Sequence, residues 1–110
     1  MLANAEKKPT AVFCANDITA IAVIQCFLQA GLKVPQDISV MGIDNIDVAQ
    51  YMNPMLTTVE VPKVELGKNA VRLLIDRIEN GRPIAMTIKL PYRLILRESV
   101  APPRAEKRGK

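Results

Sequence analysis

Two polar pairs carry whatever chemistry this sequence holds. Asn16 and Asp17 interrupt the apolar stretch VFCANDITAIAV, and Asp44 and Asn45 follow the apolar stretch ISVMGI. Carboxylates can move protons or hold a metal. An amide beside a carboxylate can grip a polyol, because the amide donates and accepts while the carboxylate accepts strongly. Local structure competes for the same residues. Asn or Asp at the head of a helix accepts an orphan backbone N–H, worth about 1 kcal/mol, and Asp-Asn closes turns through short side-chain hydrogen bonds. One residue suffices for a cap, so the second member of Asn16-Asp17 needs another reason. Asn16, Asp44 and Asp17 are the candidates for ligand contact; Asn16 and Asp44 are the stronger, and Asp17 is read equally as the cap or a support behind the site.

Catalysis and metal binding find little support. The chain has no histidine, which removes Ser-His-Asp and Cys-His arrangements and the commonest metal ligand. Cys14 and Cys26 stand alone, without the second Cys pair of a zinc site. Both lie in apolar runs and read as buried free thiols, suited to a reducing compartment. Asp44 and Asp47 resemble a hydrolase or magnesium site only in residue type. Gly42 and Gly67 are isolated, so no phosphate-cradling loop is present. The expectation is no enzyme, no metal and no cofactor.

The elements that position these pairs follow from periodicity. Thr10–Ala15 reads as a short buried strand. Asn16-Asp17 opens a helix running to Ala30, with Gly31 placed to end it. Ile38–Ile43 is apolar on both faces, the pattern of a central parallel strand. One helical turn is expected around Val48–Met52. LTTVEV reads as an alternating, edge-like strand. Pro62 fits the first turn of a second helix, whose apolar positions Val64, Val71, Leu74, Ile75 and Ile78 recur at helical spacing and which stops at Asn80-Gly81. Two short strands, about 86–90 and 93–98, follow on either side of Pro91. Alternating strands and helices predict an α/β fold with a mainly parallel sheet and flanking helices. If the first two strands are parallel neighbours, both polar pairs reach the same carboxyl edge, where open α/β sheets bind ligands.

Composition narrows the partners. The 110 residues are 49% hydrophobic and 24% charged, which fits a globular chain. The net charge is +4, but the last seven residues hold +3 of it, leaving +1 for residues 1–103. Residues 104–110 read as a solvated, basic flexible tail, with weak phosphate contact as the sharper alternative. No signal-peptide core or membrane-length apolar run is present. From Ile18 to Leu32 there is no charged residue. A helix on one side of a sheet normally carries a charged outer face, so this one is expected at an interface with another chain or with a further part of its own.

The blocks PTAVFCAND, AGLKVPQDISVMGIDN, NPMLTTVEVP, ELGKNAVRLLIDRI and LPYRLILRES resemble, in order and spacing, the LacI/GalR-type transcriptional repressors. The resemblance covers Lys8 to Pro103. It implies a partial type I periplasmic-binding-protein-like fold, in which two α/β lobes clamp an effector. Residues 10–57 and 86–100 would belong to the C-terminal lobe, and 58–85 would be a crossover segment of the N-terminal lobe, contributing one helix. By the same resemblance Asn16 and Asp44 contact a sugar-like small-molecule effector. The helix after the first pair and the loop after the second form a homodimer interface, which maps onto Ile21, Ala22, Gln25, Val48, Tyr51 and Met52. Ile18 joins them as part of the uncharged helix.

Such repressors touch operator DNA through a headpiece, which has no counterpart here, and work in the cytoplasm. The chain is thus expected to be the effector-sensing and dimerisation part of a longer regulator. It departs from the family pattern at Ala22, where many relatives have Gly, and at Asn45, where many have a second Asp. Two other readings of the same residues are a fragment of a periplasmic sugar-binding transport protein and a stand-alone oligomerising interaction module.

Overall fold

A computed structural model describes residues 8–105. The elements in chain order are β1 (Ala11–Phe13), α1 (Asp17–Gln29), β2 (Ser39–Ile43), a 3₁₀ turn (Asp47–Gln50), β3 (Thr57–Glu60), α2 (Lys63–Asn80) and β4 (Arg93–Ile95). The four strands form one sheet in the order β1-β2-β3-β4. β1 pairs with β2 in parallel, Phe13 opposite Met41, and β2 pairs with β3 in parallel, Ile43 opposite Val59. The α/β reading with a mainly parallel sheet therefore holds, with β2 inside the sheet as its two-sided apolar pattern requires.

The chain divides into two compact units. One runs to Glu60 and resumes at Leu94; the other is Val61–Arg93. In the first, α1 lies against β2. Ala20 and Ile24 from the helix are fully buried with Val40, Ala49 and Leu56, and Cys14, Val34 and Ile38 complete the cluster. The close approach of helix and strand depends on Gly42. A Cβ there would collide with the Asp17 carboxylate and sit 3.1 Å from the Asp17 Cα and 3.3 Å from the Ala20 Cβ. The end of α1 follows the expected scheme: Leu32 N–H donates to Phe27 O at 2.9 Å across Gly31, which takes φ 83°.

The segment after β4 is stitched into this unit by backbone and hydroxyl groups. Ser99 is fully buried. Its Oγ accepts from Thr57 N–H at 2.9 Å and donates to Val40 O at 2.6 Å. Val40 N–H in turn donates to Ser99 O at 2.9 Å. The Ser39 hydroxyl exchanges hydrogen bonds with Ala101, at 3.1 and 3.0 Å. The hydroxyls of this buried seam thereby gain partners, as burial demands.

The second unit holds α2. Pro62 sits just before the helix rather than within its first turn, and Gly81 closes it in the left-handed conformation at φ 56°. No side chain of α2 is buried, and Val64, Val71, Leu74, Ile75 and Ile78 are all exposed. Within this unit Arg82 turns back toward the helix, its guanidinium 3.4 Å from the Asp76 carboxylate.

Several expectations need correction. Residues 86–90 form no strand, because nothing in the described chain pairs with them, and β4 is confined to Arg93–Ile95. β3 is not an edge strand: it lies between β2 and β4 and buries Thr57 and Thr58. β1 is not fully buried, since Ala11 and Phe13 are exposed. Cys14 is a buried thiol, whose pKa burial pushes up, but Cys26 lies on the exposed side of α1. Arg104 is no part of a solvated tail. Its guanidinium donates to the carbonyls of Lys8, Pro9 and Asp37, tying the chain end to the start of β1. The rest of the expected tail beyond Ala105 lies outside the described residues.

Candidate functional site

The strand register brings the two polar pairs to one edge. Phe13 and Met41 are opposite each other in β1 and β2, and Asn16 and Asp44 each follow three residues later. Both therefore leave the sheet at its carboxyl edge, where ligand sites of open α/β sheets form.

Asn16 is the N-cap of α1. Its backbone is extended, and its Oδ1 accepts the Thr19 N–H at 2.8 Å. The cap thus falls to Asn16 and not to Asp17. Capping consumes only the oxygen. The Nδ2 group, two donors on a half-buried side chain, has no partner among the described residues and remains able to meet an acceptor. Cap and ligand contact are compatible roles for one asparagine.

Asp17 is fully buried, with 0% exposure. Oδ1 accepts the Thr58 hydroxyl at 2.6 Å and Oδ2 accepts the Ile46 N–H at 2.9 Å. This carboxylate clamps the head of α1 to β3 and to the loop after β2. Asp17 therefore departs from its expected place among the ligand contacts: it has no exposed surface, and both its oxygens are engaged within the fold.

Asp44 and Asn45 make the turn out of β2. Both hold positive backbone angles, φ 122° and φ 52°. Such conformations cost a non-glycine residue about 1–3 kcal/mol and persist where the surroundings over-determine them, which is common at ligand clamps. The surroundings here are well defined. Asp44 N–H donates to Val59 O at 2.9 Å, and Asn45 N–H donates to the Thr58 hydroxyl at 3.3 Å. The Asn45 side chain is used at both ends: Nδ2 donates to Glu60 Oε1 at 3.0 Å, and Oδ1 accepts from Arg97 Nη2 at 2.7 Å. Asp44 itself is half-buried at the rim.

Glu60 and Arg97 are residues that sequence reasoning missed. Arg97 follows the apolar triplet Leu94, Ile95 and Leu96 and precedes Glu98 and the buried Ser99. With a second charge beside it, it reads from the sequence as a solvated residue ending a strand, and only the fold shows that it reaches Asn45.

The residues expected at a dimer interface divide by exposure. Ile18, Ala22, Gln25, Val48 and Tyr51 are exposed. Ile21 and Met52 are half-buried and pack partly against the chain's own core. The exposed face of α1 carries Ile18, Thr19, Ala22, Gln25, Cys26, Leu28 and Gln29, with no charge among them. Among the described residues there is no cluster of three His, Cys, Asp or Glu that could hold a metal ion. Nor is there a helix long and apolar enough to cross a membrane.

The profile of a family described as periplasmic binding protein-like domain matches residues 1–100. A transcriptional repressor named PurR from Photobacterium profundum is 47% identical over 93 residues, covering 84% of this chain and 28% of its own. The ribose operon repressor of Haemophilus influenzae is 44% identical over 99 residues, covering 90% of this chain and 30% of its own. The chain thus spans less than a third of the length of these relatives. Among solved structures, a LacI-type regulator from Bacillus cereus superposes with a TM-score of 0.84 at 29% identity, covering 91% of this chain and 36% of the other. A LacI-family regulator from Enterococcus faecium, solved with bound ribose, gives a TM-score of 0.75 at 38% identity, covering 92% of this chain and 37% of the other.

Proposed function

This chain belongs to the periplasmic binding protein-like domain family, and from that premise we propose that it is the effector-sensing and self-associating part of a LacI-type transcriptional repressor. Its effector is a sugar or a similar small polar molecule. Ribose is the first candidate, because it is bound in the regulator from Enterococcus faecium. The domain binds and does no covalent chemistry, in keeping with relatives named as repressors.

The observation that supports this reading best is the carboxyl edge itself. Asn16 offers amide donors beside its capping oxygen, and Asp44 sits on a strained turn held from several sides. A rigid acceptor set against a donor matches the hydroxyl rim of a sugar, each of whose hydroxyls both donates and accepts. Asn16 and Asp44 are assigned as ligand contacts, and Asp17 as the buried support behind them.

In this reading residues 10–60 and 94–100 belong to one lobe of a two-lobed sensor, in keeping with the compact unit they share, and 61–93 to the other, which moves the expected boundaries from 57/58 and 85/86. Effector binding shifts the population of states of the sensor and thereby operator affinity. Operator DNA is reached through a headpiece outside these residues, in the cytoplasm, and the homodimer forms through the uncharged face of α1 with Val48 and Tyr51.

Titration calorimetry of the full-length regulator with ribose, cellobiose and lactose tests the site. One of these sugars should bind, and Asp44→Ala and Asn16→Ala should each weaken it by about tenfold or more, the scale of losing a hydrogen bond at a charged or buried polar contact. Undiminished binding in Asp44→Ala would remove Asp44 from the site.

A further inference from the structure

The turn made by Asp44 and Asn45 is held by groups distant in sequence. Positive φ at two successive non-glycine residues is a conformation the chain does not choose unaided. Val59 O and the Thr58 hydroxyl take the two backbone N–H groups. The Asn45 side chain is fixed between Glu60 and Arg97.

Arg97 does more than touch Asn45. Its Nη1 donates to Leu56 O at 2.9 Å, and its own backbone N–H donates to the Thr57 hydroxyl at 2.9 Å. The planar guanidinium therefore bridges the chain entering β3 to the turn leaving β2. A lysine, with one ammonium in place of a rigid fork, could not span both acceptors in this way. Hydrogen bonds from a charged donor in a half-buried setting are among the stronger ones available.

We propose that Arg97 is a positioning residue: through Asn45 it holds the Asp44–Asn45 turn in its positive-φ form and so fixes where the Asp44 carboxylate meets a ligand. This rests on the reading of Asp44 as a ligand contact. Arg97 itself stays behind the turn and touches no ligand. Asn45 takes part as the link, using its oxygen toward Arg97 and its amide toward Glu60. An aspartate at this position would lose the donor and set a second carboxylate against Glu60.

The test uses the full-length regulator, ribose as the probe, and the variants Arg97→Met, Arg97→Lys, Ser99→Ala and Asp44→Ala. Ser99→Ala is the structural control. It removes a buried crosslink from the same segment, between Thr57 and Val40, without touching the turn. In ligand-free protein, Arg97→Met should speed amide exchange at Asp44 and Asn45 by about tenfold or more. Arg97→Lys should fall between it and wild type. Ser99→Ala should lower the unfolding midpoint while leaving those two amides at wild-type exchange.

With ribose, Arg97→Met should raise Kd by about tenfold, and Ser99→Ala should leave it unchanged. An Arg97→Met protein that loses stability as Ser99→Ala does, but keeps wild-type exchange at Asp44 and Asn45, overturns the proposal and makes Arg97 a structural crosslink only. Asp44→Ala separates the two claims. If it binds ribose as wild type does, the ligand reading fails, while the exchange measurement still decides whether Arg97 holds the turn. The exchange measurement likewise decides alone if wild type takes up no ribose.

Discussion

At the scale of single residues, the arrangement is governed by how completely each buried polar atom is used. Asp17 spends both oxygens inside the fold, and Gly42 is what lets it do so. A methyl group at residue 42 would overlap the Asp17 carboxylate and press on the Asp17 Cα and the Ala20 Cβ. Gly42→Ala should therefore cost about 1–3 kcal/mol, the usual penalty for overpacking a tight contact, read as a lower urea midpoint with an unchanged slope. A wild-type midpoint would mean that α1 does not approach β2 this closely. The same principle explains what could be read in advance. Asn16 and Asp44 were visible because each is a polar break after an apolar strand. Asn16's cap could not be told from Asp17's by residue type, since either side chain accepts an orphan N–H equally well. Glu60 was not visible, because a Glu ending an alternating segment reads as a solvated residue until Asn45 is known to reach it.

At the scale of elements, β2 and α1 were located within a residue or two by their apolar runs and end signals, and α2 by its helical spacing of apolar residues. It failed where polarity of type and exposure part company. Thr57 and Thr58 made β3 resemble an edge strand, yet their hydroxyls are spent on Arg97 N–H and on Asp17. The alternation of Met86, Ile88 and Leu90 suggested a strand, but alternation needs a neighbouring strand to become one, and the described residues offer none there. The uncharged outer face of α1 is the element-level feature with the clearest consequence. Ile18 is 71% exposed and Tyr51 79% exposed, so neither is packed into the core of this chain. Ile18→Asp combined with Tyr51→Glu should leave the unfolding free energy of the 110-residue chain within about 0.5 kcal/mol of wild type, as for other surface changes. Sedimentation of the full-length regulator should nevertheless show loss of the proposed dimer. A wild-type protein that is already monomeric at micromolar concentration would sink the interface assignment.

At the scale of the whole chain, the two compact units differ in what holds them together. Among its described residues the first has a core of eight buried apolar side chains, from Cys14 to Leu56, and a seam of buried hydrogen bonds through Ser99. The second has an 18-residue helix with no buried side chain. A helix of this length is marginal in water on propensity alone, because most helical stability in proteins comes from packing an apolar face. In α2 that face, Val71, Leu74, Ile75 and Ile78, is bare. Local stability should follow burial. Hydrogen exchange on the 110-residue chain should therefore show amides of α2 opening well before those of α1 and β2. In a full-length regulator, where the proposed N-terminal lobe would cover this stripe, α2 should gain protection while β2 changes little. Equal protection of α1 and α2 in the short chain would contradict this ordering. It would mean that the apolar stripe of α2 is already covered, and sedimentation of the same sample would show whether a second copy does so.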